Sequence, residues 1–186
     1  MDQYWNVTKV KAHDSAVKHG FWENKPSNEH FLCLIVSELM EAVEADRKSK
    51  RANRDVYEDR MRSLKSVDSV IESFVRLFEY HIKDTVEDEL ADTAIRLMDL
   101  AGAKNVNLMN GFCMQYIVSR GKSFTENIYA IVKDLVNYKY SLEEQLNYAL
   151  HQIIKLSEFI RCDLKWHIEK KMEYNKTRSK KHNKKY

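Results

Sequence analysis

Proline and glycine are scarce, with one Pro and four Gly in 186 residues. So few turn formers exclude a many-stranded sandwich or barrel and favour long helices. Cysteine is scarce too. Cys33, Cys113 and Cys162 are widely spaced and form no C-x-x-C pair, which excludes a zinc finger or ribbon. Cys33 and Cys162 fall in helical stretches and read as small packing residues. An odd count suits a reducing compartment, so a cytoplasmic location is expected. No apolar run approaches membrane-spanning length, and no membrane association is expected. The start Met1-Asp2-Gln3-Tyr4 has no basic region before an apolar run, so no signal peptide is expected. The net charge is only +3 although 32% of residues are charged. That balance is not the footprint of a general nucleic-acid binder. No repeat of 20–50 residues is evident.

Missing motifs exclude several chemistries. There is no G-x-x-x-x-G-K-[ST], hence no P-loop. No Glu-x-x-His occurs, which argues against a di-iron bundle. No Ser or Cys stands in a nucleophile motif. His13, His19 and His30 have no His-x-x-x-His partner and are assigned no metal.

What remains is an all-α chain. Apolar residues make up 44% of it, enough for a real core. A first helix is expected over 2–19, with Tyr4, Val7, Val10 and Val17 among its apolar positions and Gly20 ending it. Ser27 is a candidate N-cap for a helix over 28–47. Val67, Val70, Ile71, Phe74, Val75, Phe78 and Ile82 form a core-seeking stripe. Thr85 with Asp88, Ser123 with Glu126 and Ser141 with Glu144 resemble capping boxes. They open helices from 86 to a stop at Gly102, over 124–138, and over 142–164 with a continuation toward Asn175. Residues 106–122 read as helix or irregular chain. Roughly seven helices result, too many for a plain four-helix bundle. One domain over 1–186 is expected, a helical bundle with extra helices. Residues 47–84 and 103–165 are inserted or oligomer-contact segments, and 179–186 a basic tail.

Two acidic words stand out. Glu38 with Glu41, and Glu89 with Asp92, are carboxylate pairs three residues apart. At that spacing side chains share a helix face, with Cβ atoms about 5–6 Å apart. Two such helices side by side would bring four carboxylates into one space, and oxygen-only ligands select Mg²⁺, then Mn²⁺. The competing reading is a solvated acidic face. Helical phase separates the two for Glu38, which falls inside the arc of Phe31, Leu34, Ala42 and Ala45. A carboxylate there is costly unless paired, protonated or metal-bound. On the second helix the stripe is Val86, Leu90, Ala94, Leu97 and Ala101. Glu89 flanks it and Asp92 lies almost opposite, near Arg96 and Asp99. Asp92 can face a site only if that helix is covered on more than one side.

The words Glu38-Leu39-Met40-Glu41-Ala42 and Glu89-Leu90-Ala91-Asp92 resemble the signature of the all-α nucleoside triphosphate pyrophosphohydrolases, the MazG-like and dimeric dUTPase superfamily. Gly20-Phe21-Trp22, the run Lys171–Arg178 and the ending His182–Tyr186 are similar to it as well. The match covers residues 13–46, 86–102 and 167–186. It departs at Ser37, where the family often has Glu, in a longer gap between the acidic words, and at Asn183, where Gly is common. The resemblance implies a helical hydrolase that cuts a nucleoside triphosphate to the monophosphate and pyrophosphate with Mg²⁺ (Mn²⁺ as substitute). It implies Glu38, Glu41, Glu89 and Asp92 as metal ligands and a homodimer or homotetramer. Glu38 and Glu41 are the catalytic candidates, Glu38 first as proton acceptor from water because of its apolar setting. Lys171, Asn175 and Arg178, four and three residues apart, share one helix face and are expected at phosphate and nucleotide. Lys184 and Tyr186 are weaker candidates in the basic tail. Trp22 either stacks on a base or, with Phe21, staples the loop to the bundle. The cation-rich run 47–65 is a solvated helix or loop, or a lid over phosphate.

Two further readings stay open. One is a non-enzymatic helical module whose basic segments bind nucleic acid or an acidic partner. The other keeps fold and metal but has lost activity, because Ser37 replaces an acid. Residue types leave the base unassigned among damaged nucleotides, dUTP and dCTP.

Overall fold

The computed structural model describes residues 2–64, 70–109 and 117–180. These form eight α-helices and no strand. Val67, residues 110–116 with Gly111 and Cys113, and the tail from 181 with His182, Asn183, Lys184 and Tyr186 lie outside the described residues.

Helix α5 (Val86–Ala103) is the axis of the molecule. It packs against α1 (Asp2–Lys18), α2 (Asn28–Arg47), α7 (Leu142–Phe159) and α8 (Leu164–Lys176). Its predicted stripe of Val86, Leu90, Ala94, Leu97 and Ala101 is fully buried. So are Asp88, Ala91, Thr93, Met98 and Leu100 on its other faces. Covered on several sides, this helix can aim polar groups in more than one direction without exposing them to bulk water. Helix α6 (Phe124–Leu135) pairs with α7 and reaches α2.

Helices α3 (Arg54–Arg62) and α4 (Val70–His81) pair with each other. They close a smaller core of Tyr57, Phe74, Leu77, Phe78 and Ile82 against Tyr174 of α8. Within the α4 stripe, burial falls on Phe74, Phe78 and Ile82, while Ile71 is exposed. The stripe therefore faces its partner only in its second half.

Local signals hold where they depend on adjacent residues. Ser27 caps α2 through the His30 amide. Ser123 and Ser141 form reciprocal capping boxes with Glu126 and Glu144. Gly20 takes φ +83° after α1, the left-handed conformation that lacks a steric cost only in glycine. Thr85 makes half a box: its hydroxyl accepts from the Asp88 amide, but the Asp88 carboxylate turns to the Asp84 amide.

Other expectations are corrected. Gly102 does not end α5, which runs on one residue and is followed by Asn105 at φ +53°. Glycine is needed at 102 because a Cβ there would lie 2.7 Å from the His13 Cβ of α1. On α1 the buried face is Trp5, Thr8, Lys9 and Ala12, while Val7, Val10 and Val17 are exposed. Lys9 can be buried because its ammonium donates to the Val106 carbonyl at 2.5 Å. The long last helix is broken between Phe159 and Leu164. Arg161 takes φ +60° there, and Asp163 caps α8 through the Trp166 amide. Cys33 is exposed on the outer side of α2, so it is no packing residue; Cys162 packs against the main core. Residues 117–122 are irregular, with the Ile117 and Val118 amides donating to Gln152 and the Ser119 amide to Asn127.

Candidate metal centre and adjoining cleft

The α2–α5 contact brings the two acidic words together. One carboxylate oxygen from each of Glu38, Glu89 and Asp92 lies within 4.8 Å of the others. Glu38 is 3% exposed and Glu89 4%, so neither belongs to a solvated acidic face. Asp92 is half-buried, and Glu41 is exposed and outside the trio. Asp84, Asp88 and Glu89 form a second trio that shares Glu89.

Two cations answer these acids, Lys171 buried and Arg96 half-buried. The Arg96 guanidinium bonds Glu38. The Lys171 ammonium reaches Asp88 at 2.6 Å and Asp92 at 2.8 Å. Burial alone would depress the pKa of Lys171, but Asp92 and Asp88 hold it above the usual lysine range. Burial likewise opposes the charge of Arg96, and Glu38 and Asp92 outweigh it. With all four carboxylates (Glu38, Asp88, Glu89 and Asp92) ionised, the two cations leave two negative charges, the complement of one divalent ion.

The shortfall falls on named atoms. Asp88 Oδ1 is buried without a hydrogen-bond partner. Glu89 accepts no side-chain hydrogen bond and forms no ion pair among the described residues. A buried carboxylate without a partner is costly. Burial, then Asp92 and Asp88, push Glu89 up to about 9. Burial pushes Asp88 up to about 6 against the pull of Lys171. Glu38 is also raised, by burial and by Asp92. Hard oxygen donors, close together and short of positive charge, suit a hard cation. The residues present therefore fit a divalent ion.

Beside the trio lies an open cleft of about 80 Å³, between α1, α2, α5 and α8. Asp92 and Arg96 belong to both cleft and cluster. Asn175 of α8 and Arg178, just past the end of that helix, line the cleft. Lys171, on the same face one turn earlier, is turned inward to Asp88 and Asp92 and does not line it. Phe21 and Phe31 line the cleft, and Trp22 does not. Trp22 stacks on Phe31 with ring centres 4.1 Å apart and donates from Nε1 to Asp99 at 2.9 Å.

Four residues of this region lay outside the motif reading. Asp88 was visible as a cap. Arg96 and Asp99 were visible as polar neighbours of Asp92 in phase, and His13 had no signal beyond its type. His13 Nδ1 pairs with Asp99 at 2.8 Å. Burial pushes Asp99 up to about 6 despite its bonds to His13 and Trp22. No described helix is long and apolar enough to cross a membrane. Comparison with protein-family models, with curated proteins and with solved structures found no match to this chain.

Proposed function

We propose that this protein is a Mg²⁺-dependent nucleoside triphosphate pyrophosphohydrolase. The observation that carries the reading is Glu89, a buried and unpaired carboxylate within 4.8 Å of Glu38 and Asp92, beside an open cleft that Asp92 also lines. The order of acidic words along the chain, which resembles the all-α pyrophosphohydrolases, supports the same reading.

In this account Glu38, Glu89 and Asp92 hold the ion, with Glu41 at the solvent edge as the fourth acid. A bound Mg²⁺ neutralises phosphate charge and acidifies a water. Glu38 has one oxygen on Arg96 and keeps the other for the ion or for the proton of the attacking water. Arg178 offers a planar guanidinium to the phosphates from the cleft wall. Asn175 offers an amide to sugar or phosphate. Lys171 acts as a positioning residue: it fixes Asp88 and Asp92 rather than touching phosphate. Assembly into a homodimer or homotetramer belongs to the same proposal.

The test is a panel of nucleoside triphosphates with Mg²⁺, resolving pyrophosphate from orthophosphate. Pyrophosphate plus monophosphate, lost on chelation, is the expected result. Orthophosphate alone, or no product with Mg²⁺ or Mn²⁺, contradicts it.

A further inference from the structure

Asp99 is a buried acid to which the hydrolysis reading gives no task. It is 7% exposed and lines the cleft. Both of its hydrogen bonds fall on one oxygen. Oδ1 takes His13 Nδ1 at 2.8 Å and Trp22 Nε1 at 2.9 Å. Oδ2 accepts nothing among the described residues. Orienting Trp22 and His13 needs only the first oxygen. Oδ2 is not sealed off inside the protein; with Asp99 lining the cleft, it can exchange water for a ligand donor.

The surroundings say what that ligand is. Phe21, Phe31, Leu34 and Met172 give the cleft flat apolar walls, suited to a planar ring. The aromatic wall is backed by Trp22, clamped between Phe31 and Asp99. Asp99 stands two turns along α5 from Asp92, roughly 10 Å on the helix axis. That is the length scale separating the phosphates of a nucleotide from the far edge of its base. An ionised carboxylate can only accept hydrogen bonds. It attracts an exocyclic amino group and repels a carbonyl oxygen placed at the same point.

We propose that Asp99 is a specificity-determining residue and that the cleft takes a base with an exocyclic amino group, cytosine or adenine. Uracil and hypoxanthine, which carry a carbonyl in its place, are disfavoured. The proposal rests on the reading of Glu38, Glu89 and Asp92 as the phosphate end.

Free nucleosides test it without metal, phosphate or turnover. Calorimetric titration of the full chain in chelator compares deoxycytidine with deoxyuridine, and deoxyadenosine with deoxyinosine. At least one pair should show the amino member bound about tenfold or more tighter, since a site built around a substrate donor rejects the analogue that lacks it. Asp99→Asn adds a donor beside the acceptor and should shrink that preference to within about threefold. Equal binding within both pairs, a carbonyl preference, or no binding of any nucleoside overturns the inference. So does a preference that survives in folded Asp99→Asn. If that variant does not fold, the wild-type pairs alone decide. Nucleoside preference without hydrolysis of any triphosphate sinks the hydrolase and leaves this pocket standing. Equal hydrolysis of the amino and carbonyl triphosphates does the reverse.

Discussion

Carboxylates meet cations in two regions of this molecule, and only one of them makes a site. Around α3, Arg51 pairs with Asp46 at 2.8 Å, and Arg54 pairs with Glu58 at 2.7 Å and Asp163 at 2.9 Å. Asp46, Glu58 and Asp163 each have a cation, Asp55 and Asp59 stand exposed to water, and Arg54 is 36% exposed. Water screens such pairs, and they contribute little. Along α5 the same residue types are buried and the acids outnumber the cations. Glu89 has no ion pair, and Asp88 uses only one oxygen. Charge density is similar in sequence; burial and imbalance separate a solvated face from a cluster that could hold an ion.

The contrast can be broken most severely at Lys171. Lys171→Met leaves the buried Asp88 and the half-buried Asp92 without their cation. Denaturant unfolding at pH 8 in chelator should show a loss of about 3–5 kcal/mol. A loss below about 1 kcal/mol would mean the seam is as wet as the surface network. Next is turnover. Glu89→Gln keeps shape but removes a proposed ligand, so kcat should fall at least about 100-fold with the helical CD spectrum unchanged. Glu41→Gln, outside the trio, should cost about tenfold or less; equal losses would put Glu41 in the ligand set. The smallest effect is expected at Arg54→Ala, no more than about 1 kcal/mol in the same unfolding assay.

Much of this was legible because it is local. Glu38 sits among Phe31, Ala42 and Ala45 on one helix, so its phase alone announced a buried acid. The caps at Ser27, Ser123 and Ser141 depend on residues three positions away. What stayed hidden is long-range. The stripe of α5 describes one face, yet Asp88, Thr93 and Asp99 are buried on others. Thr93 is satisfied by the Glu89 carbonyl of its own helix, but Asp88 and Asp99 need Lys171 and the His13–Trp22 pair, which arrive from elsewhere in the chain. Periodicity cannot express that. The α1 face misled for the same reason: Lys9 is inside because Val106 offers it a carbonyl, and three valines are left outside. Trp22 takes the packing alternative and Phe21 lines the cleft instead of stapling the loop; the bond from Trp22 to Asp99, distant in sequence, holds that arrangement.

The most direct measurement is thermal unfolding against Mg²⁺ concentration at several pH values. In the metal-free protein Glu89 is raised to about 9, and Asp88 and Asp99 to about 6. The folded state therefore holds protons that the unfolded state has released. Stability from these groups is fullest below their ordinary carboxylate pKa values. It falls as pH rises, through about 6 for the aspartates and on to about 9 for Glu89. An ion bound only by the folded state replaces those protons and raises Tm. The account predicts a Mg²⁺-dependent rise in Tm that is larger at pH 8 than at pH 6 and absent in Glu89→Gln. A Tm indifferent to Mg²⁺ and Mn²⁺ at every pH, or an unchanged response in Glu89→Gln, would contradict it.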